Sequence, residues 1–83
     1  MPLYMDVHNL LRAATPEKMA EARRADLAVQ AKHGVRYLKY WLDPTTGHMF
    51  CLVEAPSKEA AFSVHREAHG AVANEIYEVL EGE

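Results

Sequence analysis

The stretch His48-Met49-Phe50-Cys51-Leu52-Val53-Glu54-Ala55-Pro56-Ser57 decides the fold, because it is apolar on both sides of a two-residue alternation and then stops at a proline and a helix cap. Phe50 and Leu52 fall on one side; Met49, Cys51 and Val53 fall on the other. A strand of this kind must be covered on both faces, since water against either would leave a large apolar patch. Just upstream, Pro44-Thr45-Thr46-Gly47 supplies a turn. Before it, Val35 to Asp43 is aromatic and β-branched enough to form the partner strand of a hairpin. By simple alternation that strand is also doubly apolar, with Leu38, Tyr40 and Leu42 opposed to Val35, Tyr37 and Trp41.

Outward from the hairpin the pattern changes to helical. Ser57 as N-cap, Glu59 in the first turn and Gly70 as a closing residue predict a helix from Ser57 to His69. Thr15-Pro16-Glu17 reads as cap, first helical residue and favourable acid, and opens an alanine-rich helix that runs to Lys32-His33, where Gly34 supplies a left-handed cap. Within it Asp26 shares nearly the angular position of Met19, so an acid is expected to be partly covered. Leu3 to His8 alternates Leu3, Met5, Val7 against Tyr4, Asp6, His8 and reads as the first strand, followed by a loop from Asn9 to Ala14. Glu75 to Leu80 reads as the last strand, before the acidic end Glu81-Gly82-Glu83. The order β-α-β-β-α-β predicts an α+β, ferredoxin-like sandwich: a four-stranded antiparallel sheet with two helices on one face. The first and third strands are expected to be central and parallel neighbours. Two helices cover one face only, so a symmetric homodimer packed through the other face is expected.

A chain of 83 residues is one domain, 1–83, near the lower end of independent stability, burying roughly 60–65% of its unfolded surface. Its 49% hydrophobic and 25% charged residues place it among globular proteins. A net charge of −3 with no run of Lys or Arg argues against nucleic acid or an anionic membrane as partner. The RNA-recognition fold has the same element order, yet Gly47 to Glu54 lacks the basic residue, glycine and aromatic spacing of its stacking motif. The N-terminus lacks the basic region and apolar run of a signal peptide, and no stretch approaches a membrane span, which predicts a cytoplasmic protein. Cys51 is the only cysteine, so an internal disulfide, a four-cysteine zinc site and an iron–sulfur cluster are excluded within one chain. On a central strand it reads as a small buried hydrophobe, with thiolate ligation as the alternative.

The chemistry sits in Val64-His65-Arg66-Glu67-Ala68-His69-Gly70. Histidines one helical turn apart stack two imidazoles on one face, a pair suited to zinc, copper, iron or nickel. The glutamates that mark zinc-protease helices are missing from both diagnostic positions. The plainer alternative for His65 and His69 is a helix surface whose last turn favours positive charge. Asp6 and His8 lie on a central strand and need partners there. Either Asp6 bonds to Tyr, Arg or backbone and His8 caps the following loop, or the two serve as ligands or in catalysis. Asp6 and Asp26 are placed within reach of His65. His8 is expected at the opposite end of the sheet from His69, where it and Glu54 could form a separate acid–imidazole pair. Two competing classes stay open: an enzyme of the dimeric α/β-barrel type, using a histidine and Asp6 for proton transfer on a small organic molecule in a pocket between helices and sheet, and a ligand-binding regulator. No catalytic motif is present.

The chain as a whole resembles a family of small bacterial nickel-binding or nickel-responsive proteins of ferredoxin-like fold, originally a domain of unknown function. The residues that carry the resemblance are Met5-Asp6-Val7-His8, Asp26-Leu27 with Gln30 and Gly34-Val35, Tyr40-Trp41, Phe50 to Pro56, and Val64-His65 with Ala68-His69-Gly70. The resemblance implies a cytoplasmic homodimer that coordinates nickel, with zinc or copper as alternatives, for storage or buffering. Its site would draw on His65 and His69, with Asp6, His8 and Asp26 as further ligands or as groups that orient the imidazoles. It further implies a histidine in many relatives where this chain has Arg23. A guanidinium cannot coordinate a metal and would oppose a second positive charge nearby.

Overall fold

The computed structural model describes residues 1–9 and 15–82. Strand β1 (Leu3–Asn9) is followed by helix α1 (Pro16–Val29), a 3-10 turn (Gln30–His33), strands β2 (Arg36–Asp43) and β3 (His48–Glu54), helix α2 (Lys58–Ala68) and strand β4 (Glu75–Val79). The strands form one sheet in the order β2-β3-β1-β4, every pair antiparallel. The α+β architecture is therefore as expected. Apart from Asn9, which ends β1, the expected loop from Asn9 to Ala14 lies outside the described residues.

One expectation is overturned. β1 and β3 are central neighbours, but they run antiparallel, with Asp6 opposite Cys51 and His8 opposite Met49. The crossover through α1 makes β2 parallel to β1, and the tight hairpin then reverses β3, so β3 must oppose β1.

The caps form where the sequence places them. Thr15 Oγ1 accepts from the Lys18 amide at 3.2 Å, and Ser57 Oγ accepts from the Ala60 amide at 3.1 Å. Gly34 ends the 3-10 turn in the left-handed region at φ 68°, where a Cβ would be strained. Asp43 closes the hairpin turn by accepting from the Thr45 and Thr46 amides.

A regular two-residue alternation fails in β2. The register slips between Tyr37 and Lys39, leaving Leu38 as an extra residue in a β-bulge. Tyr37 pairs with Val53, Tyr40 with Cys51 and Leu42 with Met49. Tyr37 therefore shares a face with Tyr40 and Leu42, correcting the alternation that set it against them.

That face is the core side. Tyr4, Tyr37, Met49, Cys51 and Val53 from the sheet pack with Met19 from α1 and with Ala61 and Val64 from α2. β1 turns its mixed face, Tyr4, Asp6 and His8, toward the helices and leaves the apolar Leu3, Met5 and Val7 on the other. There Val7 lies opposite Phe50, Met5 lies opposite Leu52 and Tyr77, and Trp41 lies opposite Phe50. Trp41 and Tyr77 are 49% and 50% exposed. The resulting apolar surface is broad, and among the described residues its strand neighbours are other sheet residues. Among the described residues, no helix is long and apolar enough to cross a membrane.

Candidate metal centre

Polar residues are buried at the end of the sheet where β1 finishes. Asp6, His8, Asp26 and His65 are each at most 3% exposed, and unpaired groups there would cost several kcal/mol. Each has partners, because three elements converge. β1 brings Asp6 and His8. α1 brings Asp26 on the stripe Met19-Arg23-Asp26-Gln30, whose polar members face inward. α2 brings His65 from its buried face and His69 from its C-cap. The expectation of a partly covered Asp26 is exceeded: it is buried.

His65 lies between the two carboxylates. Its Nδ1 is 2.8 Å from Asp26 Oδ1 and its Nε2 is 3.0 Å from Asp6 Oδ2. A ring with both nitrogens against carboxylate oxygens donates at both, which is the imidazolium form. Burial alone would lower the His65 pKa, but the hydrogen bonds and charges of Asp26 and Asp6 raise it to about 9. Asp6 and Asp26 are pulled the opposite way. Burial would raise each, yet the imidazoles hydrogen-bonded to them hold both carboxyls below the usual range.

Asp6 is saturated. It accepts from His8 Nε2 at 3.0 Å on Oδ1, and on Oδ2 from the Tyr37 hydroxyl at 2.8 Å as well as from His65. Burial and the facing carboxylate of Asp6 push the Tyr37 phenol far above its ordinary pKa, so it stays a donor. Asp26 differs: the same oxygen, Oδ1, faces both His65 Nδ1 and, at 3.0 Å, His69 Nε2. His69 is the outermost member, its side chain 18% exposed. It borders a groove between the helices lined by Ala22, Ala25 and Ala68.

The expected separation of the histidines is also overturned. The His8 and His65 rings lie 4.7 Å apart and the His65 and His69 rings 5.2 Å apart, so all three belong to one cluster. The cause is the strand direction corrected above. With β3 antiparallel to β1, the start of β3 meets the end of β1, and α2 running back along β3 delivers His69 to His8. Glu54 lies opposite Leu3 at the other end, 3.8 Å from Arg36, and does not pair with His8. His8 bonds to Asp6; the loop it was expected to cap lies outside the described residues.

Among the described residues, two donor sets have ligand atoms within 4.8 Å of one another: Asp6, His8, Cys51 and His65, all buried, and Asp26, His65 and His69. The Cys51 thiol is driven up by burial and by Asp6 and stays protonated, which leaves the first set rich in donors already committed to one another. Imidazole and carboxylate together suit a divalent first-row ion. The chemistry of the second set fits nickel. Arg23 sits among neither; its Nη2 donates to the Tyr37 and Leu38 carbonyls at 3.2 and 3.0 Å. Sequence reasoning placed Asp6 and Asp26 near His65 and offered Asp6 a tyrosine partner, but could not single out Tyr37, because the bulge that turns it inward has no signature in the alternation.

Comparison with known proteins agrees with this chemistry. No curated protein matches the chain significantly. The crystal structure of SCO4226 from Streptomyces coelicolor A3(2) is similar, with a TM-score of 0.90 and 40% sequence identity over 98% of this chain and 99% of that one. The family described as nickel-responsive protein, SCO4226-like, matches residues 4–79. With nearly the whole chain matched in sequence and in fold, this protein belongs to the SCO4226-like family of nickel-responsive proteins.

Proposed function

We propose that this protein is a cytoplasmic homodimer that binds a divalent cation, nickel first with zinc or copper as alternatives, and buffers or stores it. Asp26, His65 and His69 are the ligands; Asp6 and His8 orient His65 from behind. One observation carries the reading: His65 Nδ1 and His69 Nε2 both aim at Asp26 Oδ1, at 2.8 and 3.0 Å. Protons now fill the space between those atoms. Asp6 and Asp26 both keep their carboxylate charge, and an ion can bind at Asp26 by taking the place of those protons. Asp6 keeps its hold on Nε2 throughout, the role a carboxylate plays behind a metal-bound imidazole.

The homodimer is supported by the apolar sheet face of Leu3, Met5, Val7, Phe50 and Leu52, which two helices on the opposite side cannot reach. Membership of a nickel-responsive family supports nickel over its neighbours. Calorimetric titration of metal-free protein with nickel and with zinc tests the site. Wild type is expected to give saturable heat, and His69→Ala, altered at the exposed end where folding is least at risk, to bind at least about tenfold more weakly. Absence of heat with either ion, or affinity unchanged in both His69→Ala and Asp26→Asn, overturns the reading.

A further inference from the structure

The geometry points to Arg23 and Gln30 as positioning residues: they clamp the backbone of β2 so that the Tyr37 hydroxyl occupies Asp6, leaving Asp26 as the carboxylate available to an ion. Arg23 lies on α1 and Gln30, seven residues on, opens the 3-10 turn that continues it, on nearly the same face. Gln30 Oε1 accepts from the Tyr37 amide at 2.9 Å, and Arg23 Nη2 donates to the Tyr37 carbonyl at 3.2 Å. Both peptide groups of Tyr37 are thus met by side chains at the outer edge of the sheet, where no strand among the described residues neighbours β2.

The same Arg23 nitrogen reaches the Leu38 carbonyl at 3.0 Å. Consecutive carbonyls of a regular strand point to opposite edges, so one nitrogen can serve both only because Leu38 bulges. Arg23 therefore holds the bulge, and the bulge is what turns Tyr37 toward the helices. Its guanidinium is fixed from the side by Tyr40, whose ring centre lies 5.6 Å from Cζ. Its other terminal nitrogen, Nη1, is buried without a hydrogen-bond partner among the described residues. A cation kept there at that cost holds something in place.

The consequence reaches the ligands through Tyr37. With Tyr37, His8 and His65 all on Asp6, that carboxylate is spoken for, and His65 is oriented with Nδ1 toward Asp26. Release Tyr37, and Asp6 regains a free lone pair in a buried site and turns to recover a donor, carrying His65 with it. The effect on metal affinity rests on the function proposed above; the effect on the hydrogen bond does not.

The test is a double-mutant cycle between Arg23→Met and Tyr37→Phe, with Gln30→Leu and the acceptor-retaining Gln30→Glu beside it. Nickel affinity by calorimetry is expected to fall about 10- to 100-fold in each single variant except Gln30→Glu, and no further in the Arg23→Met/Tyr37→Phe double variant. In metal-free protein, the hydroxyl proton of Tyr37, protected from exchange by burial and identified by its loss in Tyr37→Phe, is expected to disappear from the NMR spectrum of Arg23→Met and of Gln30→Leu. Two results overturn the inference: losses that multiply in the double variant, or a Tyr37 hydroxyl signal that persists in Arg23→Met while only the melting temperature falls. Should wild type bind no nickel, the functional reading falls, and the hydroxyl proton still decides this one.

Discussion

Raising the pH past neutrality should loosen this protein through a single ring. His65 is 1% exposed, so solvent screens little of what it feels. Its pKa rises from 6.5 to about 9 on folding, and such a shift corresponds to roughly 3 kcal/mol. Because the folded value is the higher one, the folded state binds the proton more tightly. The stabilisation is complete below pH 6.5, shrinks as the unfolded ring stops taking up its proton, and is gone once the pH passes about 9. For a domain of this size a loss of roughly 3 kcal/mol lowers the melting temperature by on the order of 10–20 °C. Urea unfolding of metal-free protein at intervals between pH 6 and about 9.5, below the range where most lysines and tyrosines titrate, measures the slope directly. His65→Gln, which cannot titrate, should be less stable throughout and nearly flat across this window. If the variant fails to fold, the titration of the His65 ring followed by nitrogen-15 NMR supplies the same number. A wild-type stability constant to within about 1 kcal/mol across the window, or an unaltered slope in His65→Gln, refutes the imidazolium between two carboxylates.

Asp6→Asn turns one of the two acceptor oxygens into a donor facing donors, removes the charge that pairs with His65, and should cost about 3–5 kcal/mol, read by urea unfolding at pH 7. Since the native Asp6 pKa lies below the ordinary one, wild type should lose this advantage as the pH falls through the carboxylate range, and the two proteins should converge in acid. Nickel uptake should release at least one proton per ion near pH 7.5, when the ion replaces the protons that His65 Nδ1 and His69 Nε2 hold toward Asp26; calorimetry in two buffers of different ionisation heat gives the count, and a count of zero contradicts replacement. Phe50→Glu places a charge in the apolar sheet face opposite Val7 and Trp41, and light scattering at micromolar concentration should then find a monomer where wild type gives a dimer.

Much of the fold was legible because its signals are local. Thr15, Ser57 and Gly34 mark helix ends by side-chain chemistry and backbone freedom alone, and the structure has each in that role. The alternation of β1 separated Asp6 and His8 from Met5 and Val7 correctly. It could not say which set faces the helices, and the answer is the more polar one. What remained hidden was relational. The direction of β3 against β1 follows from a chain of turns, and one wrong link there sent His8 to the far end of the sheet and paired it with Glu54. The Leu38 bulge was hidden for a different reason: an inserted residue leaves the surrounding apolar residues unchanged and alters only which of them share a face. Tyr37, and with it the saturation of Asp6, was lost to the reading by that one residue.

Strand β1 is a wall shared by two compartments. Asp6 projects into the ionic cluster, while Met5 and Val7, joined to it by single peptide units, project into the opposite apolar surface. No side chain is needed to carry a message between them; the backbone that sets the height of Asp6 also sets the height of its flanking residues. A change of residue at Met5 or Val7 therefore acts on the same peptide units that hold the Asp6 carboxylate in place.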